Sequence, residues 1–95
     1  MSSKDEYVRK MHSKLDHWNA EIDKLAAKAD QSKAEIRAGY NKQIEELRSK
    51  RSEARNKLEQ LQNAGEGAWE DMKAGVEMAW DAIGTAIDSA KSRFK

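Results

Sequence analysis

The chain contains no cysteine and no proline, and only five of its 95 residues are glycine. Without cysteine there is no disulfide staple, no thiolate nucleophile and no cysteine-based metal site. Without proline, and with so little glycine, it lacks the turn formers that a β-sandwich needs at each reversal. Aromatic residues are also scarce, at 6%, shared among three Trp, two Tyr and one Phe. Mean hydropathy is -1.02, and no apolar run approaches the roughly 18 residues of a membrane-spanning helix. The opening Met-Ser-Ser-Lys-Asp-Glu-Tyr has no apolar core of the kind a secretion signal carries. A soluble, cytoplasmic protein is therefore expected.

What the chain does have is charge and helix formers. Charged residues make up 37%, with 18 basic against 17 acidic, so the formal net charge is only +1. Residues 1–63 hold 14 basic and 11 acidic side chains, and residues 64–95 hold 4 and 6, a mild asymmetry that favours the two parts lying together. Ala, Glu, Lys, Leu and Arg dominate, and the apolar residues keep helical spacing, which sets the chain apart from a disordered one of equal polarity. One all-α domain is expected.

The clearest pattern lies near the C-terminus. Trp69 to Ala79 and Trp80 to Ala90 are two copies of an eleven-residue unit, with Lys91-Ser-Arg-Phe94 opening a third. Trp69 recurs as Trp80, Met72 as Ile83 and Phe94, and Val76 as Ile87. At 100° per residue these fall on one stripe, flanked by the small residues Gly75, Ala79, Ala82, Ala86 and Ala90. Eleven residues correspond to 3.67 per turn, a nearly straight helix, expected over about 67–93.

Upstream, Val8, Met11, Leu15, Trp18, Ile22, Leu25, Ala29, Ser32 and Ile36 alternate in steps of three and four. Ser2 or Ser3 suits a helix start, with Asp5 and Glu6 in the first turn. Ser32-Lys-Ala-Glu35 has the form of a capping box, but nothing that breaks a helix precedes it, so one long helix over about 4–62 is expected. A break near 30–33, giving a three-helix bundle, is the alternative. The seam continues through Tyr40, Ile44, Leu47, Arg51, Ala54, Leu58 and Leu61, with Gly39 a site of local bending. Asn63-Ala-Gly-Glu-Gly67 is the one concentrated break, and Gly65 and Gly67 mark a turn over 64–67.

Reversal at that turn brings together residues whose numbers sum to about 130. The expected architecture is an antiparallel helical hairpin with a core of Ile36, Tyr40, Ile44, Leu47, Arg51, Leu58, Leu61, Trp69, Met72, Val76, Trp80, Ile83, Ile87 and Phe94. Arg51 is expected to lay its guanidinium over Trp80. The shorter helix covers only half of the longer one. Val8, Met11, Leu15, Trp18, Ile22 and Leu25 would then remain uncovered, as a surface for self-association or for a partner protein.

Chemistry finds little to work with. His12 and His17 are five apart and do not share a helix face, though each has an acid four residues on, Asp16 and Glu21. Two ligands without a third do not make a metal site. Glu45 and Glu46 are adjacent and point apart. No phosphate loop or activated nucleophile occurs. The basic run Arg48, Lys50, Arg51, Arg55, Lys57 is interleaved with Glu45, Glu46, Glu53 and Glu59 and lacks aromatics, so nucleic-acid binding is not expected. No catalytic residue, cofactor or metal is expected.

Three segments together resemble a known family. They are Met11-x-x-x-Leu15-Asp-x-Trp-Asn-Ala-Glu-Ile-Asp-Lys-Leu25, Tyr40-x-x-Gln-Ile-Glu-Glu-Leu-Arg-x-Lys-Arg, and Ala64-Gly-Glu-x-Ala-Trp-Glu-Asp-Met-Lys-Ala-Gly-Val-Glu-x-Ala-Trp80-Asp. The likeness, nearly full length, is to small coiled-coil stress-response proteins of proteobacteria and cyanobacteria, with Gly39 as a departure. The resemblance implies a bacterial, helical, stress-linked protein and no particular biochemical activity. The expectation is thus a non-enzymatic, self-associating interaction protein that binds or shields another macromolecule. Two alternatives are reversible membrane-surface binding by the C-terminal helix and an accessory subunit of an enzyme or the ribosome.

Overall fold

A computed structural model of the chain describes residues 3–93. It contains three helices, α1 (Ser3–Asp30), α2 (Ala34–Asn63) and α3 (Ala68–Arg93), and no strand among the described residues. The all-α expectation holds. Each helix buries one face at three-and-four spacing: Val8, Met11, Leu15, Ile22, Leu25 and Ala29 on α1; Ile44, Leu47, Ala54, Leu58 and Leu61 on α2; Trp69, Val76, Trp80, Ile83, Ile87 and Ala90 on α3. Among the described residues, none that is polar or charged is fully buried.

The expected unbroken helix over 4–62 does not form. Helix α1 tightens at its end, where Gln31 N–H reaches both Ala27 O (3.3 Å) and Lys28 O (3.2 Å), and Ser32 N–H reaches Ala29 O (3.1 Å). Lys33 then turns extended, at φ -61° and ψ 147°, and stands as the N-cap of α2 without a side-chain cap bond. The capping box is not made either, because the Ser32 hydroxyl donates back to Lys28 O at 2.9 Å. Magnitudes explain the break. Interrupting a helix forfeits a few backbone bonds of about 1 kcal/mol net each. Bringing five large side chains of α1 out of water returns roughly 1.5–3 kcal/mol apiece.

The second turn follows its glycines. Ala64 N–H closes onto Leu61 O (3.1 Å), Gly67 takes φ +91°, and Gly65 O accepts from Ala68 N–H (3.2 Å) and Trp69 N–H (3.4 Å). Among the described residues, the left-handed φ at Gly67 is the one place where the absence of a Cβ is required.

Helices α2 and α3 run antiparallel: the Tyr40 hydroxyl reaches Arg93 O at 3.2 Å, a residue sum of 133 against the expected value near 130. Helices α1 and α2 are also antiparallel, through Lys4 Nζ to Ala64 O (3.1 Å) and Arg51 Nη1 to Asn19 Oδ1 (3.1 Å). Helix α1 therefore lies parallel to α3. The molecule measures 51 × 19 × 18 Å, the length of one helix of about 30 residues plus its turns.

Candidate functional site

The surface expected for self-association is not exposed in this chain. Val8, Met11, Leu15, Ile22 and Leu25 are buried, and Trp18 is half-buried with its ring tilted 57° against Trp80 at 5.9 Å between centroids. The break at 31–33 returns this stripe to the chain's own α2 and α3. Of the residues expected in a hairpin core, Ile44, Leu47, Leu58, Leu61, Trp69, Val76, Trp80, Ile83 and Ile87 are buried, while Tyr40, Arg51 and Met72 are half-buried. Ile36 is a correction. It sits just past the break and is 48% exposed. Phe94 lies outside the described residues. Arg51 is a second correction: its guanidinium donates to Asn19, and Trp18 takes the place beside Trp80.

Two aromatic pairs organise the α1–α3 contact. Tyr7 meets Trp69 at 6.0 Å and Trp18 meets Trp80 at 5.9 Å, each pair joining residues 62 apart. Tyr7 and Trp18 are separated by eleven residues, as are Trp69 and Trp80. Matched elevens on two parallel helices thus pair ring with ring, one repeat apart. Sequence reasoning passed over Tyr7, although this spacing was the signal. Lys73 Nζ lies over both rings of the first pair, 4.7 Å from the Trp69 centroid and 5.1 Å from Tyr7. At the second pair, a Cβ on Gly84 would stand 3.8 Å from Trp18 Cζ2, an ordinary contact distance, so the indole packs close over this part of α3. Burial, then the nearby Glu77 charge, pushes the Tyr7 phenol up to about 12. The buried Trp80 Nε1 has no hydrogen-bond partner among the described residues.

Among the described residues, no three His, Asp or Glu side chains converge as ligands would. His17 Nε2 is 3.8 Å from Glu21 Oε1, but Glu21 Oε2 is held by Lys91 Nζ of α3 at 2.9 Å. The Lys91 hydrogen bond holds the Glu21 carboxyl below its ordinary range. His12, Asp16, Asn19, Arg51 and Arg55 line an open cleft between α1 and α2 in which both signs of charge alternate.

What stays outside is one face of α3. Met78 is 71% exposed, on a shallow apolar surface shared with Ala82, Thr85 and Ala86, with Lys50 of α2 at one side. Along the other side run Glu70, Glu77, Asp81 and Asp88, all exposed. Helical geometry puts these four within about 40° of one another, so they form an acidic rail beside Met78. No helix among the described residues is long and apolar enough to cross a membrane. No family model, curated protein or solved structure matches this chain.

Proposed function

We propose that the chain is a non-enzymatic interaction protein, a three-helix bundle that closes on itself and binds another macromolecule through the exposed face of α3. The observation that carries this reading is Met78, a large apolar side chain 71% exposed among small residues and beside an acidic rail. A flat strip of Ala and Thr lets a second helix approach closely. The Met side chain is flexible enough to adapt to it, and the carboxylates select positive charge. The fitting partner is a cationic amphipathic helix, which the protein would bind or shield. The resemblance to stress-response proteins suggests a stress-linked setting for this role. This reading is preferred to the membrane-surface alternative on the ground that the apolar stripe which that would use, Trp69 through Ile87, is buried in the core.

Titration with a synthetic Leu/Lys amphipathic helix, followed by the Met78 and Thr85 methyl resonances, tests the proposal. Saturable shifts at both methyls are expected. Met78→Gln removes apolar burial without adding charge and weakens binding about tenfold, since a buried Met is worth roughly 1.5–3 kcal/mol. Unmoved methyls, or equal affinity in Met78→Gln, would count against it.

A further inference from the structure

We propose that the 31–33 break is a hinge through which two copies of this chain exchange α1, giving a domain-swapped dimer built on one continuous α1–α2 helix. This goes beyond the α3 docking face and does not depend on it.

Four observations converge on the hinge. First, Gln31, Ser32 and Lys33 include no glycine, and among the described residues only Gly67 has a positive φ, so nothing in the hinge requires a reversal. At Lys33 the φ of -61° is already helical, and the ψ of 147° is what departs from helix there. Second, the break is weakly secured. Lys33 caps α2 without a side-chain bond, and beside the backbone bonds at Gln31, Ser32 and Lys33 the side-chain ties are Ser32 Oγ to Lys28 O and Arg37 Nη2 to Ser32 O at 2.8 Å. A continuous helix would satisfy the end groups of both helices within itself. Third, the three-and-four spacing of α1 runs on through Ala29, Ser32 and Ile36 without a fault. Fourth, Ile36 is 48% exposed, a seam residue with no seam.

The second copy supplies that seam. In the closed chain α1 and α2 face each other with residue sums of 68 and 70, from the Lys4–Ala64 and Asn19–Arg51 bonds. The same register between two straightened chains sets their twofold axis at residue 34 or 35. The two Ile36 side chains then lie about 3–6 Å apart along the axis, from the helical rise per residue. Every α1 residue buried in the closed form is buried again against the partner's α2 and α3, and the half of Ile36 that is exposed gains a covering neighbour. The opened α1–α2 helix would span about 90 Å, against 51 Å for the closed chain.

The test is refolding from denaturant at millimolar and micromolar concentrations, with mass by light scattering and maximum dimension by small-angle scattering. The proposal expects a dimer near 90 Å long after concentrated refolding, and a monomer after dilute refolding. Ala34→Pro separates the two forms. Lys33 already has the extended conformation that a following proline requires, and proline suits the first residue of α2, but it cannot lie inside a continuous helix. It should cut the dimer fraction at least tenfold with helicity unchanged, and the variant should still respond to the cationic peptide at Met78. Ile36→Asp, at an exposed position, should likewise suppress the dimer and spare the monomer. A wild type that stays monomeric under all refolding conditions, or a dimer indifferent to both variants, overturns the proposal.

Discussion

At the scale of the residue, the contrast between Ile22 and Gly84 shows where stability resides. Ile22 is 0% exposed between the helices, so Ile22→Ala should lower unfolding free energy by about 2–5 kcal/mol through lost burial and the cavity left. Gly84 lies within α3 with its nearest neighbour at ordinary contact distance. Gly84→Ala should therefore stabilise by about 0.5–1 kcal/mol and raise Tm by several degrees. Urea and thermal unfolding of the two variants read both signs. Titration gives a second prediction. The folded Tyr7 phenol, raised from 10.0 to about 12, adds stability that is complete below pH 10 and lost as pH climbs from there toward 12. Glu21 behaves oppositely. Its lowered carboxyl contributes above the ordinary value of 4.5 and is lost as pH falls below it, a dependence that Lys91→Ala should flatten. Denaturation midpoints across pH report both, with Tyr7→Phe as the control for the alkaline limb.

At the scale of the element, the two turns differ in kind. The second needs its glycine: Gly67→Ala places a Cβ at φ +91° and should cost on the order of 1 kcal/mol or more by chemical denaturation. The first has no such requirement, and that difference marks the limit of what the sequence could say. The positions of α3 and of the 64–67 turn were legible because periodicity and glycine are local signals. The end of α1 was not. Nothing at Gln31 to Lys33 breaks a helix, and the heptad spacing crosses it intact. The break is imposed by the free energy of covering Val8 to Leu25, which no local pattern records. Ile36 and Arg51 were misplaced for the same reason, since each was assigned a neighbour in a two-helix core. The candidate site was legible only in part. The acidic residues of α3 were visible in the sequence, but the exposure of Met78 depends on which face α1 covers. Likewise Tyr7 has meaning only once α1 lies parallel to α3.

At the scale of the whole molecule, the account rests on α1 closing against α2 and α3 of its own chain. That closure converts what would be an interface into a core and leaves the Met78 face exposed, and both the proposed partner surface and the proposed 31–33 hinge depend on it. Its consequences are specific: Trp18 must be held by Trp80, and Tyr7 by Trp69, without a second molecule. The most direct measurement is an isotope-filtered NOESY spectrum on a dilute sample of mixed labelled and unlabelled chains, with mass followed by light scattering. The account predicts a 10.8 kDa species with Trp18–Trp80 and Tyr7–Trp69 cross-peaks that are intramolecular. Cross-peaks found only between chains, or a monomer that lacks them and leaves Trp18 open to a soluble quencher, would contradict it.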